Sequence, residues 1–414
     1  MAVVEPNVVA LELEKVVPDV QTLFDFDGPF YASIKKKNVE KISYRQMRVP
    51  LKLRPGGNFG YYDPNGGDLG RGSGPQWDKA VVQSVFLKEG IEYTKLVENA
   101  TDDSRKSVKN AVRDMVGTAL DEFKKQIDSQ MMQSGTGQVG TISSVTTSGG
   151  VDTVVLTNTF GAKLVRFNQV VSVFDSTLAT NRGSATITLW DVANNTIQLT
   201  PAIASIAATD VLITEGITSP LSMPALYGVP YQHSNASTGT WLGFSRASTP
   251  EIRANRVNGG GSAFAIPLPR LAINMIGNRV GIDNNFNPKA WLHPCQKQAY
   301  EDVGQSVSII QKQPKEEGLN MYFDKMSMAG APTMESFSWD KTRIDFVTDN
   351  VWGRGETLPV GFYKTDGRNI FEIRGASGGV ATAEIFYMVT GFQVFVNNPA
   401  ACAYIDNLQI PAGY

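Results

Sequence analysis

A basic two-stranded ribbon that runs into a long helix constrains this chain more than any other feature, because neither element is stable alone. Residues 35–54 read KKKNVEKISYRQMRVPLKLR, with eight Lys/Arg against one acid, a net +7. Within them Met47, Val49, Leu51 and Leu53 alternate with Arg48, Lys52 and Arg54. That period of two predicts a strand with one apolar face and one basic face. A tip rich in Gly and Pro follows, and an apolar return strand is predicted from Val81 to about Val97. A two-stranded ribbon has no core of its own and is marginal in water, so it must lie on something else. The whole chain carries −2, so everything outside the ribbon sums to −9. A basic ribbon on an otherwise acidic subunit points to contact between like subunits.

The first thirty residues have the opposite charge. Glu5, Glu12, Glu14, Asp19, Asp25 and Asp27 stand against Lys15, a net −5. The residues leave two readings open, an acidic arm that docks on a basic surface and a solvated tail. The start, MAVVEPNVV, has no basic region and reaches Glu5 at once, so it does not read as a secretory signal. The uncharged run 385–405 contains Gly391, Gln393, Asn397, Asn398 and Pro399, which argues against a spanning helix and against a membrane partner. Two cysteines, Cys295 and Cys402, imply a reducing compartment without a disulfide framework.

Asp102, Asp103 and Ser104 open a predicted helix, by capping and by the macrodipole. Val108, Val112, Met115, Val116, Ala119, Leu120, Phe123, Ile127 and Met131 then form one stripe, and Gly135 closes it. A helix of that length spans on the order of 45 Å. Gly117 and the drift from strict heptads favour a spine across a flat domain over a coiled coil. From about Gly140 to Gly216 charges thin out and short Val/Thr/Ile runs alternate with Gly, Asn and Ser turns, the pattern of a small antiparallel barrel or sandwich. Its abrupt edges mark it as inserted. Beyond it the pattern is mixed: a helix near Leu268–Asn278, a second opened by His293-Pro294, then strands, the last two separated by Gly391.

Motifs for chemistry are missing. No Gly-Lys-Ser/Thr phosphate loop is present. His293-Pro294-Cys295 has no second pair of ligands, so His293 is expected to end a strand and Cys295 to pack in a helix's first turn. Gly243-Phe244-Ser245-Arg246 lacks the second glycine of a hydrolase elbow. No pair of carboxylates stands out as an acid/base couple. No catalytic, cofactor-binding or metal-ligating residue is assigned, no cofactor is expected, and the chain reads as a non-enzyme.

In order, the pieces resemble the major capsid proteins of tailed double-stranded-DNA bacteriophages, whose fold is shared with encapsulins and herpesvirus capsid floors. Three segments carry most of the likeness: YGVPYQHSNASTGTWLGFSRASTPEIRANRVNGGG (227–261), PKAWLHPCQKQAYEDVG (288–304) and GFQVFVNNPAACAYIDNL (391–408). The resemblance implies an α+β fold with an N-terminal arm (1–34), an extended β-ribbon loop (35–97) and a spine helix of a peripheral domain (98–139). It further implies an inserted antiparallel β-barrel (140–216), an axial α/β domain with peripheral segments (217–375) and C-terminal strands of the peripheral domain (376–414). It implies a subunit that assembles with itself into hexamers and pentamers of an icosahedral shell around phage DNA, located in the virion and assembled in the host cytoplasm. Its other partners would be a portal, a decoration protein and the packaged DNA by weak non-specific contact. About thirty-five residues precede the ribbon, so a separate scaffold protein is expected. Some members cross-link a loop lysine to an asparagine near the last hairpin; residues 376–390 contain no asparagine, so that chemistry is not carried over. The expected assembly interface is Arg48, Lys52 and Arg54 of one subunit against Glu12, Glu14 and Asp19 of another.

Two other readings use the same residues. A β-rich phage adhesin that binds a receptor or carbohydrate would use Trp190, Trp241 and Trp291 as ligand platforms, although most such tryptophans are packing residues. An encapsulin-like compartment shell would share the fold. The ribbon could also bind nucleic acid, but one of its faces is apolar and its aromatics are poorly placed for stacking on bases.

Overall fold

The computed structural model describes residues 29–414 apart from 38–39, 44, 62–69, 95–103, 158, 160, 222–224, 282–286, 309–326 and 375–379. The chain enters through a short helix, α1 (Pro29–Ser33), and a two-residue strand, β1 (Glu40–Lys41). The predicted ribbon follows as β2 (Gln46–Arg54) and β3 (Gln76–Gln83), paired antiparallel from Gln46↔Gln83 to Arg54↔Gln76. Met47, Val49 and Leu51 are buried and Arg48, Lys52 and Arg54 exposed, as the alternation requires. Past β2 the two arms stay tied: the Gly57 N–H donates to the Ser73 carbonyl at 2.7 Å.

Two expectations about this ribbon need correction. Its apolar face does not wait for a neighbour, because Trp241, Leu242, Ile252 and Phe395 of the same chain cover it. The return strand is not continuous to Val97 either. It breaks at Ser84, whose N–H donates to the Arg45 carbonyl at 2.8 Å, and resumes as β4 (Val85–Thr94) in a different sheet. The buried positions slip phase there too, from Ala80 and Val82 on the ribbon core to Val85, Leu87, Ile91 and Tyr93 on the main core.

The spine helix, α2 (Ser104–Met131), turns Ala119, Leu120, Phe123, Ile127 and Met131 into the largest core. It ends four residues before Gly135, after which Met132 and Gln133 form a short turn. The more N-terminal stripe positions, Val108 to Val116, are side chains outside the described ones.

The inserted segment is a closed six-stranded barrel, antiparallel at every pairing. Its strands are β5 (Gln138–Ser148), β6 (Val151–Leu156), β7 (Val170–Phe174), β8 (Asn181–Asp191), β9 (Thr196–Thr200) and β10 (Val211–Thr214). The order β10-β5-β6-β9-β8-β7 closes through β7–β10. The barrel has its own core, with Val154, Val171, Val173, Ile187, Ile197, Leu199 and Leu212 fully buried. Its first and last strands pair with each other, Gln138 opposite Ile213, so the barrel leaves and rejoins the chain at one place.

Beyond the barrel come α3 (Val229–Gln232), a hairpin of β11 (Thr240–Trp241) and β12 (Phe244–Ser245), β13 (Asn255–Asn258), α4 (Pro267–Val280), β14 (Pro288–Leu292) and α5 (Pro294–Ser308). Strands β15 (Ser327–Met328), β16 (Ala331–Glu335), β17 (Ile344–Thr348), β18 (Trp352–Phe362), β19 (Ile370–Arg374), β20 (Val380–Val396) and β21 (Ala403–Asp406) complete the chain. One sheet runs β13-β21-β17-β14-β16-β15 and is mixed, with β13–β21 and β14–β16 parallel. Helices α4 and α5 contribute Ala272, Ile276, Ala299 and Tyr300 to its core. The other large sheet centres on β20, which pairs with β18, β19 and β4.

Gly391 does not separate two strands. β20 runs through it for 17 residues. A Cβ at Gly391 would lie 2.7 Å from the ring of Phe86, its cross-strand partner, so the glycine is there for close approach. The C-terminal strands, grouped together as 376–414 in the sequence reading, divide: β20 lies in the sheet with β4 and β21 in the sheet with β13.

Candidate assembly interface

The outer face of the ribbon carries the expected basic residues together. Arg48 lies opposite Val81, Pro50 opposite Lys79 and Lys52 opposite Trp77. Arg48, Pro50, Trp77, Asp78, Lys79 and Val81 line a shallow open concavity. Lys52 Nζ stands 5.6 Å from the centre of the Trp77 ring, which is 64% exposed. Arg54 is already engaged within its own chain: its Nε donates to Glu251 at 2.9 Å. Trp77 and Lys79 were not singled out from the sequence. The register of β3 against β2 places them, and the run QWDKAVVQ alternates too briefly to announce it. The acidic residues expected opposite, Glu12, Glu14 and Asp19, lie outside the described residues.

The ribbon's tip carries two aromatic rings in water. Phe59 is 95% exposed and Tyr61 101%, with ring centroids 6.3 Å apart. Strands of β2's length reach about 30 Å from their base, so the rings stand well away from the core that holds the ribbon.

The segment that covers the ribbon's inner face is fixed from behind by buried polar groups. Gln232 donates to the Val394 carbonyl at 3.2 Å and accepts from Trp241 Nε1 at 2.9 Å. Arg246 reaches back to the carbonyls of Ser234 and Tyr231, at 2.9 and 3.0 Å. His233 Nδ1 lies 3.0 Å from Asp345 Oδ1. Asp345 also accepts from Arg343 at 2.7 and 2.8 Å and from Trp339 Nε1 at 3.1 Å. Burial opposes the charge on Asp345, but Arg343 and His233 hold its pKa below the ordinary carboxylate value. Burial likewise opposes a charged His233, yet the neighbouring Cys402 thiol and the Asp345 carboxylate raise it to about 9. A buried carboxylate with this many donors is satisfied, and it sets the position of what it binds.

The chain enters the core through an equally specific anchor. Phe30 is fully buried, edge-on to Trp291, Trp339 and Trp352 at 5.1, 5.3 and 5.4 Å. Beside it the Tyr31 N–H donates to Asp128 of α2 at 3.3 Å. Burial pushes the Asp128 pKa up to about 6 against the backbone donors of Tyr31 and Phe30. Arg354 lies 4.4 Å from the Tyr31 ring centre and pairs with Glu356 at 2.9 Å. The residues that lead from α1 out to the ribbon therefore leave from a pinned point.

The remaining candidates fall into structural roles. His293 directly follows β14, and its Nδ1 accepts the Cys295 N–H at 3.1 Å in the first turn of α5. Cys295 and Cys402 are free and buried, and burial pushes the Cys295 thiol up to about 11. Trp241 and Trp291 are fully buried, which removes two of the three ligand platforms an adhesin would need. Trp190 is 39% exposed, with its Nε1 on the Ala162 carbonyl at 2.5 Å. Among the described residues no group of three or more His, Cys, Asp and Glu is placed to hold a metal ion, and no helix is long and apolar enough to cross a membrane.

No family model matches the chain, and no curated protein does. Solved structures do. A chain of the cyanophage A-1(L) capsid asymmetric unit has a TM-score of 0.56 at 11% identity, over 92% of this chain and 93% of that one. A chain from Gordonia phage Cozz has a TM-score of 0.41 at 11% identity, over 92% and 86%. One from an encapsulin complex of Synechococcus elongatus has 0.39 at 8%, over 82% and 80%. The fold assignment rests on the first. This chain shares the α+β fold of that cyanophage capsid chain, and a closed barrel follows its spine helix.

Proposed function

We propose that this chain is the shell-forming subunit of a tailed-phage capsid, assembling into hexamers and pentamers that enclose double-stranded DNA. The observation that carries the reading is the shared fold with a capsid chain over nearly the full length of both. The ribbon adds support. Its inner face is secured by its own subunit, which leaves a rigid basic face and an exposed tip available to a neighbour. A heterologous contact of this kind, with one patch meeting a different patch on the next copy, gives rings where its rotation closes. Net charge of −2 suits a container, since a strongly basic inner wall would grip packaged DNA by neutralising its phosphates. The subunit acts as a structural element rather than an enzyme and resides in the virion after assembly in the host cytoplasm. A separate scaffold protein, a portal and a decoration protein complete its partners.

In this reading Arg48 and Lys52, with Lys79 beside them, receive Glu12, Glu14 and Asp19 of an adjacent copy. Sedimentation of the purified 45.0 kDa chain, alone and with a candidate scaffold, tests the function. Megadalton particles are expected; only compact monomer under every condition contradicts it. A compartment shell would sediment alike, and the contents of the particles distinguish the two: DNA in one, cargo protein in the other.

A further inference from the structure

We propose that the barrel is a hinged module latched to the body by Arg166 and Glu122, and that the buried Glu89 carboxylate facing Glu122 makes this latch respond to pH. The device belongs to the single subunit and does not depend on the shell reading. The chain crosses between body and barrel twice, and each crossing turns on a glycine in the left-handed region, Gly135 (φ +88°) and Gly216 (φ +90°). A hinge is a few linker positions of this kind that absorb backbone rotation. On one flank a cavity of about 230 Å³ lies between Leu164 and Val192 of the barrel and Phe337 and Tyr414 of the body. That gap leaves the barrel room to rock.

Polar contacts tie the barrel to the spine helix. Arg166 Nε pairs with Glu122 at 3.0 Å, and Gln130 donates to Thr214 at 2.9 Å. Arg166 is fixed within the barrel: its Nη1 donates to the Val165 carbonyl at 3.0 Å, and its guanidinium lies 5.6 Å from the centre of the Trp190 ring. A shift of Glu122 is therefore passed to the barrel as a whole. On β4, Glu89 shares its face with Val85, Leu87, Ile91 and Tyr93, which pack on the main core. Its Oε2 is buried without a hydrogen-bond partner. The elements against β4 carry Glu122 and Lys125 of α2, paired at 3.2 Å, and Lys124, paired with Asp121. They also carry Glu384 of β20, which accepts from the Tyr93 hydroxyl at 2.5 Å. Arg166 reaches in from the barrel.

While Glu89 is protonated, Glu122 alone faces Arg166. Once ionised, Glu89 is a second, unpaired negative charge in a buried corner, and water admitted by opening relieves it. Burial and then Glu122 push Glu89 up to about 7. Burial opposes the charge on Glu122 too, but Lys125 and Arg166 hold its pKa below the ordinary carboxylate value. The latched state thus holds the extra proton on Glu89. Its advantage over a hydrated open state is full below the ordinary value of 4.5 and is lost as pH rises through about 7. Within that window each pH unit shifts the balance by up to about tenfold.

Spin labels on Ser176→Cys in the barrel and Asn274→Cys on α4 test this. Both positions are exposed and the native cysteines are buried. Labelled chain is diluted into excess unlabelled chain, so that only distances within one subunit are read. One narrow distance is expected at pH 5.5. A second population should grow by pH 8, its ratio to the first rising at least about tenfold. Glu89→Gln keeps the shape and cannot ionise, so it should hold the narrow distance at both pH values. Arg166→Met should show the second population at both. Identical distributions at pH 5.5 and 8 with Glu89 in place overturn the proposal, as does a pH response that survives Glu89→Gln. A second measurement needs no substitution. Hydrogen exchange of the wild-type chain over residues 161–169 should quicken between pH 5.5 and 8 beyond the intrinsic effect of pH, while β6 and β9 stay protected. No such change contradicts the latch. Neither measurement requires assembly, so failure here leaves the shell reading intact.

Discussion

Arg54, at the end of the ribbon's basic face, donates from Nε to the carboxylate of Glu251 at 2.9 Å, with side chains 52% and 41% exposed. The ion pair joins the ribbon to the segment beneath it without burying either charge. Pairs of this kind contribute between nothing and about 1 kcal/mol. The apolar inner face, not the charge, therefore holds the ribbon on its subunit, and the basic face remains available for assembly.

Reversing Arg48, Lys52 and Arg54 to Glu is therefore expected to lower monomer stability by no more than about 1 kcal/mol, and to abolish or misdirect particles. Adding Glu12→Lys, Glu14→Lys and Asp19→Lys in the same chain should restore them. Thermal melts and electron microscopy of the two variants check this. Normal particles from the triple variant would remove the ribbon charge from assembly.

Arg343 should matter far more to stability than its exposed counterparts. It donates two hydrogen bonds to the fully buried Asp345. Arg343→Leu leaves that carboxylate short of its main partner, at an expected loss of about 3–5 kcal/mol. Arg256→Leu removes a pair with Asp406 that is 44% and 25% exposed and should lose under about 1 kcal/mol. Urea unfolding of both variants measures the contrast.

Asp128 gives a pH dependence of definite sign. Its pKa in the fold is about 6, above the ordinary 3.8, so the folded state holds the extra proton. Its contribution to stability is fully present below about pH 3.8 and is lost as pH rises through about 6. Between pH 4 and 7 the stability of the native chain minus that of Asp128→Asn should fall by about 2 kcal/mol. Denaturant midpoints of the two proteins across that range measure the difference, and a flat difference would contradict the assignment.

Removal of Gly140–Gly216, closed by a short Gly/Ser linker, should leave the remaining body folded. The strands at the two ends of the barrel pair with each other, and its core is separate. What is lost is a small set of contacts to the spine helix, including Arg166 to Glu122 at 3.0 Å and Gln130 to Thr214 at 2.9 Å. A cooperative melt of the shortened chain is expected; loss of all soluble, cooperatively melting protein would place the barrel in the main core.

Local pattern carried most of this fold. The alternation of Met47 to Arg54, the stripe from Ala119 to Met131 and the Val/Thr runs of the barrel each appear where periodicity placed them, because each has one buried face set by spacing along the chain. Pairing at a distance was not legible. At Ser84 the apolar runs 80–82 and 85–87 on either side hide the slip in phase with which the return strand changes sheets, and Gly391 reads as a break until its approach to Phe86 is seen. The basic face of the candidate interface was visible in composition, whereas Trp77 and Lys79 depend on cross-strand register.

The central claim is assembly, and direct imaging tests it. Negative-stain electron microscopy of the purified chain, with and without a candidate scaffold, is expected to show closed shells or rings of six and five subunits. Fields containing only isolated particles of the 45.0 kDa subunit's size, across all salt and scaffold conditions, would contradict it.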